Sequence, residues 1–192
     1  QYDVTHEEMK KMKKEVEVRK KHAKKALKIL GVQDVRFLDL PNQELDQIPL
    51  LKIIKEIEKE VFETKASIIF THHYNDLNLD HRVAYEATIT AARPIPDSKV
   101  SSIISFEIPA ATDWRKPYKF NPNLYIDISS QLTAKINALK AYQYEFRKPP
   151  HPRSKEITDA VAKRWGSLSG FKAAEAFEII FSRMNNLENI SL

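Results

Sequence analysis

Short β-branched runs alternate along this chain with longer segments whose apolar residues return every three or four positions. That alternation constrains the fold more than any other feature of the sequence. Met9, Met12, Val16, Ala23, Leu27 and Leu30 line the core-facing side of a first helix. Thr5 and Glu8 form a capping box at its start and Gly31 ends it. Residues 35–40 have the length of a strand. Beyond Pro49, Leu50, Ile54, Ile57 and Val61 mark the buried side of a second helix. Residues 67–71 read as a buried strand because they are short, continuous and β-branched. Helix is expected over 80–93, 130–146 and 154–165, and strand over 100–108 and 124–128, with a last apolar segment over 173–181. Helix and strand in turn, joined by short connections, predict an α/β fold: a Rossmann-like, mainly parallel sheet with helices on both faces. A chain of 192 residues suffices for one such domain, spanning 1–192.

A doubly wound domain normally opens with a central strand, whereas this sequence opens directly into helix. The expectation is therefore a domain whose first strand or strands are missing. Its unpaired edge would favour aggregation or exchange of partners. Only Gly31, Gly166 and Gly170 supply glycine, so neither a phosphate loop nor a dinucleotide-binding turn can be built. The absence of cysteine excludes disulfides, thiolate metal sites and cysteine nucleophiles. No apolar run approaches the ~18 residues of a membrane span, and no signal peptide opens the sequence, so a cytoplasmic protein is the default expectation. The net charge of +5 is local: residues 1–31 hold ten Lys or Arg against five Asp or Glu, and the remainder balances. One lysine-covered helix face without interleaved aromatic platforms argues against a nucleic-acid partner.

Chemistry concentrates in one place. Thr71-His72-His73-Tyr74-Asn75-Asp76-Leu77-Asn78-Leu79-Asp80-His81-Arg82 packs three histidines, two aspartates and two asparagines between a predicted strand and a predicted helix. That junction lies at the carboxyl end of a sheet, where open α/β folds hold their ligands. Imidazole and carboxylate suit zinc, which in a catalytic site takes three protein ligands and lowers the pKa of a bound water. Asp80, beside His81, has the place of a group that orients an imidazole. The same residues are also ordinary helix caps and turn formers: Asn78 or Asp80 can accept the first N–H groups of the helix, and Asn75 and Asp76 suit a turn.

The wording of this stretch, through to Pro94, resembles the second metal motif of the LmbE-like and PIG-L N-deacetylases. The resemblance continues through Phe106-Glu107-Ile108-Pro109, Thr112-Asp113-Trp114 and Phe120-Asn121-Pro122-Asn123. Lys135, Ala138, Tyr142 and Glu145, then His151-Pro152-Arg153-Ser154 and Ala174-Glu175-Ala176-Phe177, extend it. It implies hydrolysis of the acetamide of an N-acetylated amino sugar or its conjugate, with one zinc ion as cofactor and His81 as a zinc ligand. It also implies a small-molecule conjugate as partner, with oligomerisation open.

The sequence departs from that family's pattern twice. The first motif, His-Pro-Asp-Asp-Glu, which brings two further zinc ligands and the base, is absent, since His151-Pro152 is followed by Arg153. The expected consequence is a chain inactive by itself. The place of a second histidine, three residues before His81, holds Asn78, which can donate to an oxyanion but cannot shuttle a proton. His72, His73 and His151 are the candidates to replace it. Asp76, Asn75, Glu107, Trp114, His151 and Arg153 are the candidate substrate contacts. A non-catalytic sugar-binding module of the same fold is the alternative.

Overall fold

The computed structural model describes residues 6–117 and 119–184. Five α-helices and four strands follow in order: α1 (His6–Ile29), α2 (Leu50–Thr64), β1 (Ile68–His72), α3 (Leu79–Ala91), β2 (Ser102–Phe106), β3 (Leu124–Asp127), α4 (Leu132–Lys140), α5 (Lys155–Ser169) and β4 (Ala174–Ser182). The chain divides into two compact units: Leu38–Ile126 with the chain from Glu175, and Asp127–Ala174 with the chain up to Phe37.

The first of these holds the sheet, of strand order β1-β2-β4-β3. β1 and β2 run parallel in the register Ile68↔Ser102 to His72↔Phe106, as a crossover through α3 requires. β4 pairs antiparallel with β2, with a register shift at Ile103/Ile104. The sheet is therefore mixed rather than mainly parallel, because its last strand enters from the opposite end. α2 packs on α3 through Ile53, Ile54 and Ala87, all buried. Ile57 and Val61 join these contacts, whereas Leu50, expected inside, is exposed. Below the helices, Ile69 of β1, Val100 and Ile103 meet Ala92 and Ile89.

β1 lies at the sheet edge, and only one of its faces is packed. Ile69 and Thr71 turn to α3, while Ile68 and Phe70 remain about half exposed, at 52% and 49%. The expectation of a strand buried on both faces thus fails for alternate residues, as the period of two dictates when one side lacks a cover. Residues 35–40 form no strand. Asp39 takes positive φ (55°), which breaks an extended run, and Phe37 instead lies under the ammonium groups of Lys20 and Lys24.

In the other unit α1 packs on α4 through small side chains: Ala26 meets Ala138 and Ala141, with Tyr142 against them. The apolar stripe foreseen on α1 is mostly outside this contact, with Met12, Val16 and Leu30 at 53%, 40% and 50% exposure. The Thr5–Glu8 capping box and the Met9 side chain lie outside the described residues. α4 stops at Lys140, not at 146, where Ala141 and Tyr142 N–H groups donate to the carbonyls three residues back and tighten the last turn. α5 is capped by Ser154 at one end and by left-handed Gly170 at the other. Gly166 admits no side chain: a Cβ there would lie 2.6 Å from the carbonyl oxygen of Phe171.

Candidate active site

β1 ends in His72 and α3 begins at Leu79, and the six residues between them fold back over the carboxyl end of the strand. Because side chains alternate along β1, His72 stands on the same face as Ile68 and Phe70, above Phe106 of β2 at a ring distance of 5.0 Å. On α3's first turn His81 stacks on His72, their centroids 4.1 Å apart and their planes 17° from parallel. Burial, then the neighbouring His81, pushes the His72 imidazole down to about 4, against the weaker pull of Asp76. At neutral pH His72 is uncharged.

Asp76 holds the cluster together. Its side chain is fully buried, with Oδ1 3.1 Å from Nδ1 of His81, close enough for an ion pair though off the axis of an ideal hydrogen bond. Oδ1 also accepts from the Asn78 N–H (2.8 Å), and Oδ2 accepts from the Thr112 hydroxyl (3.1 Å). Burial raises the carboxyl, but His81, the Asn78 N–H and Thr112 together outweigh it, and the group titrates below its ordinary value. An ionised carboxylate facing Nδ1 selects the Nδ1–H tautomer of His81 and leaves the Nε2 lone pair available to a metal or a proton.

The other candidates from this segment have different surroundings. Asn78 caps α3, its Oδ1 accepting from the Asp80 N–H at 2.9 Å. Asp80 orients no imidazole: its oxygens accept from the backbone N–H groups of Gln43 (2.6 Å) and Leu45 (3.1 Å), tying the loop before α2 to α3. His73 is completely buried and out of reach of a substrate. Its Nδ1 accepts from the Asn75 N–H (3.1 Å), and Nε2 lies 3.3 Å from Oε2 of Glu178 on β4. Asn75 and Asp76 are likewise too buried to touch a substrate, and the Asn75 amide donates to the Arg115 carbonyl (2.7 Å). These two build the floor of the site, as the turn reading of the sequence allowed.

Glu107 follows β2 directly and is half-buried, and Trp114 stands 68% exposed in the 3-10 turn Thr112–Trp114. His151 and Arg153 belong to the other unit. His151 Nδ1 accepts from the Arg153 N–H, and Arg153 pairs with Glu145. Sequence reasoning missed Thr112 as the clamp on Asp76 and Glu178 as the partner of His73. Arg82 was missed too: its Nη1 donates to the carbonyls of Asp76 and Leu77 and fixes the loop from outside. Thr112 stood within a motif already singled out, but nothing local marks Glu178, since its partner is 105 residues away in sequence.

Does this donor set suit the expected zinc ion? His81 does, with one nitrogen held by Asp76 and the other available. Among the described residues, however, no group of three His, Cys, Asp or Glu is placed to hold a metal. One imidazole falls short of the three ligands a catalytic zinc takes.

The family model of PIG-L, described as GlcNAc-PI de-N-acetylase, matches residues 2–92. Three solved structures share the fold at 18% identity. The conserved protein TT1542 from Thermus thermophilus has a TM-score of 0.69, covering 91% of this chain and 78% of that one. The N,N'-diacetylchitobiose deacetylase from Pyrococcus horikoshii, in complex with its inhibitor MPG, has a TM-score of 0.67, covering 94% and 67%. GalB, the 4-carboxy-2-hydroxymuconate hydratase from Pseudomonas putida, has a TM-score of 0.68, covering 88% and 74%. A deacetylase and a hydratase on one scaffold show that fold alone does not select the reaction. Among the described residues no helix is long and apolar enough to cross a membrane.

Proposed function

We propose that this chain, whose residues 2–92 match the PIG-L family model, is a PIG-L, LmbE-like deacetylase and serves removal of the acetyl group from an N-acetylated amino sugar or its conjugate. The observation that carries this reading is the Asp76–His81 pair at the carboxyl end of β1. A buried, ionised carboxylate fixes one imidazole in the tautomer that leaves Nε2 available. The reaction adds water to the acetyl carbonyl carbon and breaks the C–N bond, giving acetate and a free amine that takes up a proton.

What this chain's own residues contribute is narrower. Asp76, clamped by Thr112 and the Asn78 N–H, keeps His81 in one orientation as a zinc ligand. Neutral His72 backs it without adding charge beside it. Asn78, whose carbonyl oxygen is engaged as the cap of α3, presents its amide N–H to an oxyanion. Glu107 and Trp114 are the remaining substrate contacts of this unit.

The same shortage of ligands supports a second reading, a sugar-binding module without metal chemistry. The two separate in one experiment on the protein expressed from its complete reading frame: zinc content and acetate release from N-acetylglucosamine conjugates, with and without His81→Ala. Zinc and acetate release, both lost in His81→Ala, establish the deacetylase. Saturable sugar binding with neither establishes the module, and absence of all three removes both readings.

A further inference from the structure

One side of α1 and the turn after α4 enclose a cavity of about 450 Å3. Lys11, Lys14, Arg19 and His22 recur along the helix at intervals of three to five residues and so share one side of it. Opposite them stand Tyr142 and Tyr144. The His22 ring meets Tyr142 edge-on at 6.3 Å and Tyr144 at 5.6 Å, so the three rings form a continuous aromatic wall. Tyr142 is seated on Ala26, Ala138 and Ala141, where α1 packs on α4, which fixes that wall to the framework. Burial, then nearby Glu145, raises the Tyr142 phenol above its ordinary value and keeps it a hydrogen-bond donor.

The charge balance favours an anion. Two carboxylates also line the cavity, but Glu145 is paired with Arg153, which leaves Glu15 against Lys11 and Lys14. A solvated lysine face by itself would bind nothing in particular. The combination of clustered cations with a fixed wall of rings accommodates a ligand that has both a dianionic group and a flat or ring-shaped body.

We propose that this cavity between α1 and the 142–145 turn binds a phosphate monoester of a ring compound the size of one sugar or aryl ring. Lys11 and Lys14 take the phosphate, and Tyr144 with His22 takes the ring. The site stands independently of the deacetylase reading and of any metal.

The test is titration calorimetry of the full chain with phenyl phosphate, compared with inorganic phosphate and with phenol. Saturable binding of phenyl phosphate, at least about tenfold tighter than either fragment, is expected, because ring and phosphate are engaged together. Lys11→Gln/Lys14→Gln should weaken it about tenfold or more, and Tyr144→Ala roughly fivefold or more. All three side chains are exposed, so helicity by circular dichroism should not change. Binding of phenyl phosphate no tighter than inorganic phosphate overturns the proposal. So does indifference to Tyr144→Ala, which would reduce the effect to the diffuse charge of α1, or indifference to the lysine changes.

Discussion

Helices α1 and α2 carry the same apolar periodicity in the sequence and are covered very differently. In α2 the periodic residues do what periodicity predicts: Ile53 and Ile54 are buried against Ala87, and Ile57 and Val61 are packed. In α1 the large periodic residues Met12 and Val16 are exposed, as is Leu30 just beyond its end, and Ala26 is the only buried side chain among the described residues of the helix. Periodicity therefore reports which side of a helix can be buried, while the presence of a facing element decides whether it is. α2 has α3 to lie on, and the buried contact of α1 with α4 among the described residues is made by alanines, which let the backbones approach.

The comparison breaks most easily at α2. Ile54→Ala, removing a buried side chain from the α2–α3 contact, should destabilise its unit by about 2–5 kcal/mol in urea unfolding. A cost near zero would mean that α2 is no better covered than α1. On α1 the corresponding sensitive position is Ala26. Ala26→Leu forces three methylene-sized groups between Ala138 and Ala141 and should cost about 1–3 kcal/mol, with the loss seen in the helical circular dichroism transition. If Ala26→Leu is neutral, the alanine contact is not what holds α1.

How legible was all this beforehand? Both helices and the strands β1, β2 and β3 could be read from local pattern, 71–82 stood out as the densest run of polar and titratable residues, and β4 was legible only as an apolar segment. Three features could not. The direction of β4 depends on how the chain returns after α5, which no local pattern encodes. The failure of residues 35–40 to form a strand goes with the positive φ at Asp39. The split within the site is the clearest case: His72, His73 and His81 are the same residue type within ten positions. Strand alternation turns His72 to the open face of β1, and burial removes His73 to Glu178. Likewise Asp80, beside His81 in sequence, serves the loop before α2, while Asp76, five residues before it, is the one that meets the imidazole.

That split has a pH signature that sharpens the contrast between packed and exposed regions. His72 is neutral in the folded state down to about 4, whereas an unfolded histidine takes up a proton below about 6.5. Between those values the unfolded chain binds more protons, so stability is fully present above about 6.5 and falls as pH drops toward 4. Asp76 adds a separate loss at lower pH, since its depressed carboxyl favours folding above the unfolded value and ceases to do so as it becomes protonated. Thermal midpoints measured from about pH 7 to about pH 2.5 should fall, and His72→Phe should flatten the part between about 6.5 and 4 while leaving the further loss below about 4 in place. An unchanged slope in His72→Phe would mean that the imidazole is solvated after all.

The smallest expected effect is the most telling for α1. Met12→Gln replaces an exposed apolar side chain by a polar one of similar length and helix propensity, and should change stability by less than about 0.5 kcal/mol. A cost above about 1 kcal/mol can arise only if Met12 is covered in solution, and concentration decides by what. If the cost grows with protein concentration, a second copy covers the stripe, and the contrast between α1 and α2 is one of timing: α2 is covered on folding and α1 on assembly. If the cost is independent of concentration, the cover comes from within the chain, and α1 is an ordinary core helix whose Met12 behaves like Ile54 of α2. Only a cost near zero keeps α1 as a helix whose large apolar residues Met12 and Val16 stay uncovered, with its lysine side left open to a phosphate-bearing ligand.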